Sequence, residues 1–102
     1  MRLLVLFDLP VTTKEDRKAA ALFRKFLLKD GYYMLQFSCY CRICPSYEAS
    51  EKHERRLTAY LPTRGSVRTL VLTENQYARM KFLVGEKLPM DKKTRSDQLF
   101  LF

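Results

Sequence analysis

The chain opens on the feature that constrains it most: Leu3-Leu4-Val5-Leu6-Phe7 is an unbroken apolar run that stops at Asp8-Leu9-Pro10. A run without alternation reads as a strand covered on both faces, so it belongs in the middle of a sheet rather than at its edge. The rest of the chain has to supply that cover.

Pro10 ends the run. Thr12 or Thr13, with Glu15 or Asp16 three positions on, forms a capping signal for a helix predicted from Thr13 to about Asp30, where Gly31 stops it. At about 3.6 residues per turn, Ala19, Leu22, Phe23, Phe26 and Leu27 gather on one face. Lys14, Arg17, Lys18, Arg24, Lys25 and Lys29 share the other. Tyr32 to Cys44, rich in aromatic and sulfur residues, reads as a hairpin turning near Gln36-Phe37-Ser38. Ser46 caps a second helix with the stripe Ala49, His53, Leu57, Tyr60 and Leu61, ended by Pro62 and Gly65, and Val67 to Thr73 returns as a strand.

Strand, helix, two strands, helix, strand is the split βαβ order. It predicts an α+β sandwich of the ferredoxin-like type, βαββαβ, with an antiparallel four-stranded sheet and both helices on one face. Glu74 to Arg79 then reads as one helical turn. Met80 to Val84 is predicted as a fifth strand that this unit does not need and that must pair with something. The domain is placed at residues 1–85 and a charged extension at 86–102, closing on a short apolar strand, Leu99-Phe100-Leu101-Phe102. Left in water that end is costly, and a partner chain is its simplest cover.

With 102 residues, 47% of them apolar, there is material for one core and no second domain. Against 11 Asp+Glu stand 19 Lys+Arg, a net charge of +8, which points to a polyanionic partner. Membrane lipid is the competing polyanion. The apolar runs are far short of the ~20 residues that span a bilayer, and no signal sequence opens the chain. The expected setting is soluble and cytoplasmic, with Cys39, Cys41 and Cys44 as free thiols.

The sharpest candidate for chemistry is Asp8, a carboxylate held rigidly at the carboxyl end of a buried strand. One carboxylate does not cage a divalent ion. Two Asp8 side chains meeting across a twofold axis would share one Mg²⁺ or Mn²⁺ with several waters. The other reading is that Asp8 merely caps the turn at Leu9-Pro10. Lys14, Arg17, Lys18, Arg24 and Lys25 suit successive phosphates of a nucleic-acid backbone. A weaker basic set comprises Arg64, Arg68, Arg79 and Lys81, with Arg55 and Arg56 beside them. Cys39, Cys41, Cys44 and His53 have the ligand types of a zinc site without its spacing, and His53 reads as a core or interface histidine. Tyr32, Tyr33, Phe37 and Tyr40 could stack bases, but the aromatic signature of sheet-surface RNA binders is missing; core and dimer contact is the favoured reading.

Leu6-Phe7-Asp8-Leu9-Pro10, Phe23-Arg24-Lys25-Phe26-Leu27-Leu28, Met34-Leu35-Gln36-Phe37-Ser38 and Thr73-Glu74-Asn75-Gln76-Tyr77-Ala78-Arg79-Met80 occur in the order seen in one family. Through them the chain closely resembles the CRISPR-associated Cas2 proteins that accompany type II systems. The resemblance implies a homodimer in which the fifth strand crosses to the neighbouring protomer's sheet. It also implies a place in spacer acquisition, between dimers of the CRISPR integrase Cas1, holding a double-stranded protospacer, with Leu99 to Phe102 a candidate contact. Family members are described as metal-dependent endonucleases on RNA or duplex DNA. Carried over, Asp8 is the metal ligand, and Phe7, Arg17 and Tyr40 match an aromatic, a base and an aromatic of the family's site. The chain departs from the pattern at Met34, basic in some nuclease-active relatives, and at Phe7, tyrosine in many. The alternative from fold alone is a ferredoxin-like RNA-binding or regulatory module.

Overall fold

The computed structural model describes residues 1–85. The elements are β1 (Arg2–Asp8), α1 (Lys14–Lys29), β2 (Tyr33–Gln36), β3 (Cys39–Ile43), α2 (Tyr47–Thr58), β4 (Ser66–Leu72) and α3 (Glu74–Ala78). The sheet has the order β2-β3-β1-β4, every neighbouring pair antiparallel, so β1 is hydrogen-bonded along both edges. This is the ferredoxin-like α+β architecture that the element order predicts. The proposed extension, with Leu99 to Phe102, lies outside the described residues.

Leu3, Val5 and Phe7 point to one side of β1 and form the main core with Phe23 and Leu27 of α1, Leu57 of α2, and Tyr32, Tyr40 and Cys44. Both helices therefore cover the same face. Each such side chain, fully buried, contributes roughly 1.5–3 kcal/mol of hydrophobic stabilisation.

The opposite face departs from the expected two-sided cover. Strand geometry sends Arg2, Leu4, Leu6 and Asp8 there. Tyr77 of α3 packs on Leu4 and Cys41 and closes one end. Leu6, farther along β1, and Leu70, opposite Leu4 on β4, remain 39% and 52% exposed. An α3 of 5 residues is too short to shield a strand of 7 residues along its length.

Local signals explain the helix boundaries. Thr13 caps α1 in a reciprocal box with Asp16, Ser46 caps α2, and Thr73 with Gln76 repeats the box at α3. The buried stripe of α1 is Asp16, Ala20, Phe23 and Leu27, rotated from the predicted one so that Leu22 is left exposed. The rotation follows Asp16, which turns inward to Arg64. Helix α2 stops at Thr58, so Tyr60 and Leu61 fall beyond it and stay exposed, Tyr60 stacking on Phe26 with ring centroids 4.0 Å apart. Met80 to Val84 forms no strand within the single chain, and Phe82, Leu83 and Val84 face solvent.

Gly65 has φ +101°, and a Cβ there would sit 2.7 Å from the Asp8 carbonyl oxygen and 2.9 Å from Leu9 Cδ2. Left-handed backbone and close approach both demand glycine. Gly65→Ala is expected to cost about 2 kcal/mol or more, read from urea unfolding midpoints at unchanged m-value.

Candidate active site

Asp8 ends β1 on the face opposite α1 and α2, exposed, with Ser66 of β4 opposite it in register. Among the described residues its carboxylate makes no ion pair and no side-chain hydrogen bond. It does not cap the Leu9-Pro10 turn. Arg17 secures the stretch beyond that turn, donating from Nη1 to the carbonyls of Val11 and Thr12 at 3.3 and 3.2 Å. Asp8 is thus a free carboxylate on a fixed strand end.

The structure separates the other residues matched to the family's site. Phe7 and Tyr40 lie on the helix side, 7% and 4% exposed, stacked with centroids 5.7 Å apart, while Phe7 meets Phe23 edge to face at 5.3 Å. They stiffen the strand end that carries Asp8 but cannot themselves meet a polymer substrate, because β1 sends Phe7 and Asp8 to opposite faces. Arg24 closes over the Phe7 ring, its guanidinium carbon 5.8 Å from the centroid. Met34 is a half-exposed residue of the edge strand.

Lys14, Arg17, Lys18 and Lys25 are exposed along α1, away from its buried stripe, with Arg24 at the margin. Arg68 and Arg79 are exposed, and Arg68, opposite Leu6, shares the face that carries Asp8. Arg64 is partly committed inward: its Nη1 lies 2.9 Å from both carboxylate oxygens of Asp16.

Among the described residues no three His, Cys, Asp or Glu side chains converge as a metal cage. By strand alternation Cys39 and Cys41 face away from the helices, and Cys44 belongs to the core beneath them. His53 instead donates or accepts at Nδ1 with Asp30 Oδ2, 3.1 Å away. Arg56 pairs with the other Asp30 oxygen at 2.6 Å, so a buried carboxylate at the end of α1 is met from two sides.

Two features escaped the sequence reading. The first is a tie between the hairpin turn and β1, the Phe7 N–H donating to Ser38 O at 2.9 Å. The second is a clamp on α3. Arg2, 4% exposed, donates to both oxygens of Glu74, to Tyr33 Oη at 2.7 Å, and lies over the Tyr77 ring at 4.1 Å. Burial opposes charge on Arg2, but its bonds to Glu74 outweigh this and raise its pKa. Those same bonds lower the Glu74 pKa, and burial pushes the Tyr33 phenol up to about 12. The sole sequence signal for the clamp was an arginine inside the first strand.

A small, basic ferredoxin-like domain with both long helices on one sheet face and a free carboxylate at its central strand's end on the other is the class these features define. Comparison with known proteins makes the class specific. The family model described as "CRISPR associated protein Cas2" matches residues 1–80. The chain is 55% identical over 102 residues to the "CRISPR-associated endoribonuclease Cas2" of Acidovorax ebreus (strain TPSY), covering 100% of both chains. It is 47% identical over 88 residues to that of Ligilactobacillus salivarius (strain UCC118), covering 86% of this chain and 87% of the relative. The crystal structure of Streptococcus pyogenes Cas2 at pH 6.5 superposes with a TM-score of 0.59 at 28% identity, covering 82% of this chain and 100% of that one. The chain belongs to the CRISPR-associated Cas2 family. Among the described residues no helix is long and apolar enough to cross a membrane.

The Glu74 carboxyl, held low in the folded state, stabilises fully above its unfolded range near ~4.3 and loses that contribution as pH falls through the lower folded value. Glu74→Gln is expected to flatten the acid limb of the melting-temperature profile between pH 6 and 3. Glu74→Ala at pH 7 should cost about 1–3 kcal/mol, because it leaves a buried guanidinium short of its acceptor.

Proposed function

We propose that this chain is a CRISPR spacer-acquisition subunit: a homodimeric nucleic-acid-binding scaffold that bridges the integrase Cas1 and carries a metal-dependent endonuclease activity at paired Asp8 carboxylates. The observation that carries the reading is Asp8, unpaired and exposed at the end of a buried strand in a domain of net charge +8. The relatives' name, endoribonuclease, supports the activity. Residues 1–85 form the domain and 86–102 the extension that meets partners.

A second copy completes the site. Met80 to Val84, apolar and exposed, has the composition of a strand awaiting a sheet edge, and β4 presents an edge free of other described strands. Two Asp8 side chains would then hold one Mg²⁺ or Mn²⁺, which when bound neutralises phosphodiester charge and supplies an activated water. The chain's own residues do the remainder. Arg17 and Lys18 steady the scissile phosphate, while Phe7 and Tyr40 act as positioning residues that keep β1 rigid beneath Asp8. Lys14, Lys25 and Arg24 extend the grip on α1, with Arg68, Arg79 and the outward part of Arg64 adding phosphate contacts on protospacer DNA or single-stranded RNA.

Asp8→Ala is expected to abolish Mg²⁺-dependent cleavage of labelled RNA and duplex DNA while leaving integrase-dependent spacer insertion intact. Reversing charge at Lys14, Arg17 and Lys18 together should weaken duplex binding at least tenfold and lower the slope of log K against log salt by about 2–3. Sedimentation should give twice the chain mass, and a monomer would remove the shared-metal site.

A further inference from the structure

Leu22, Tyr60 and Leu61 are 56%, 57% and 44% exposed on the helix side of the domain, away from Asp8, and nothing in the proposed activity uses them. They are not scattered. Residues three and four apart on a helix share a flank, which puts Glu15, Ala19, Leu22 and Phe26 in one line along α1, beside its buried stripe. Phe26 stacks on Tyr60 with ring centroids 4.0 Å apart, so the segment that follows α2 is clamped to that line. The Tyr60 N–H donates to Leu57 O at 2.9 Å, and Pro62 restricts the backbone further. Between α1 and this segment lies a cavity of about 320 Å³, whose lining includes Leu9, Pro10, Glu15, Ala19, Pro62 and Arg64. Glu15 and Ala19 belong to both flank and cavity, so the two form one preformed groove. From Glu15 to Phe26 it runs about 16 Å, at a helical rise of about 1.5 Å per residue.

The charges beside the groove decide what fills it. Lys18 and Lys25 stand one turn before and one turn after Leu22, both exposed. The Asp16 and Asp30 carboxylates are turned inward and met by Arg64, His53 and Arg56, so they do not offset these lysines at the surface. Glu15 adds one exposed carboxylate at the cavity end. A phosphate backbone would satisfy the lysines but leave Leu22, Tyr60 and Leu61 against its own charged surface. A second copy of the chain would bring a net charge of +8 against the same lysines. We propose that this groove docks an amphipathic helix of a different protein, its apolar stripe seated on Leu22, Phe26, Tyr60 and Leu61 and its acidic flank against Lys18 and Lys25. Apolar residues at i, i+4, i+7 and i+11 of such a helix match the length of the groove. Because the stacked Phe26 and Tyr60 already hold the groove open, little side-chain ordering is left to oppose binding.

A fluorescein-labelled 16-residue peptide with leucines at i, i+4, i+7 and i+11 and glutamates flanking them serves as the probe, against a scrambled peptide of the same composition. Measured by anisotropy with the full-length chain at about 0.15 M salt, the patterned peptide is expected to bind roughly tenfold tighter than the scrambled one. Leu22→Ser and Leu61→Ser, both at exposed positions outside the core, should each weaken it about fivefold and leave duplex affinity and sedimentation mass as in the unaltered chain. Lys25→Glu should weaken the glutamate peptide and favour a version that carries lysines in place of the glutamates. Equal affinity for patterned and scrambled peptides overturns the proposal, because only the cationic surface is then being read. So does patterned-peptide binding that is indifferent to both serine substitutions. If those substitutions weaken duplex binding instead, the patch belongs to nucleic acid; if they halve the sedimentation mass, it belongs to a second copy, and either result overturns the assignment.

Discussion

The structure depends on β1 being bonded along both edges while only one of its faces is sealed. Hydrogen bonds to β3 and β4 leave β1 no freedom to slide, because a one-residue slip would turn Leu3, Val5 and Phe7 out of the core. The alternation that buries these three residues is what drives Asp8 to the open face. Position of the carboxylate is therefore a consequence of core packing, and the rigidity of the core is passed to it through Phe7, locked between Phe23 and Tyr40.

Three devices at the ends of β1 extend this order to its neighbours. At the carboxyl end Gly65 lets the α2–β4 connection close against the Asp8 carbonyl, and Ser38 ties the hairpin turn to Phe7. At the amino end Arg2 gathers Glu74, Tyr33 and Tyr77, so a helix of 5 residues with little packing area is held in one orientation. A fixed α3 fixes the direction in which the chain leaves toward Met80. Charge is sorted by the same geometry: Asp16 and Asp30 turn inward to Arg64, His53 and Arg56, while the lysines of α1 face outward. The inward acids meet partners, so the surface along α1 keeps its positive character.

Membership in the Cas2 family agrees with the resemblance carried by four separated motifs, and the ferredoxin-like order was legible because each element announces its own ends. Thr13 with Asp16, Ser46, Pro10 and Gly31 are local signals, acting within a few residues, and α1 begins and ends and α2 begins where they indicate, while α2 stops at Thr58, short of Pro62. The stripe of α1 was less legible. Periodicity locates an apolar face only to within a residue or so, and the inward turn of Asp16 depends on Arg64, 48 positions away. Tyr32 shows the same limit: its hydroxyl is buried and finds no partner among the described residues, which nothing local foretells.

What the sequence by itself determined is the four-stranded, two-helix order of elements, the central place of β1 and the excess of positive charge, all properties of short windows or simple sums. Tertiary structure alone decided which residues accompany Asp8. Strand register set Ser66 opposite it and Arg68 on the same face, and withdrew Phe7 and Tyr40 into the core. Register arises from pairing between segments far apart in the chain and is settled by how whole faces pack, so no single segment encodes it.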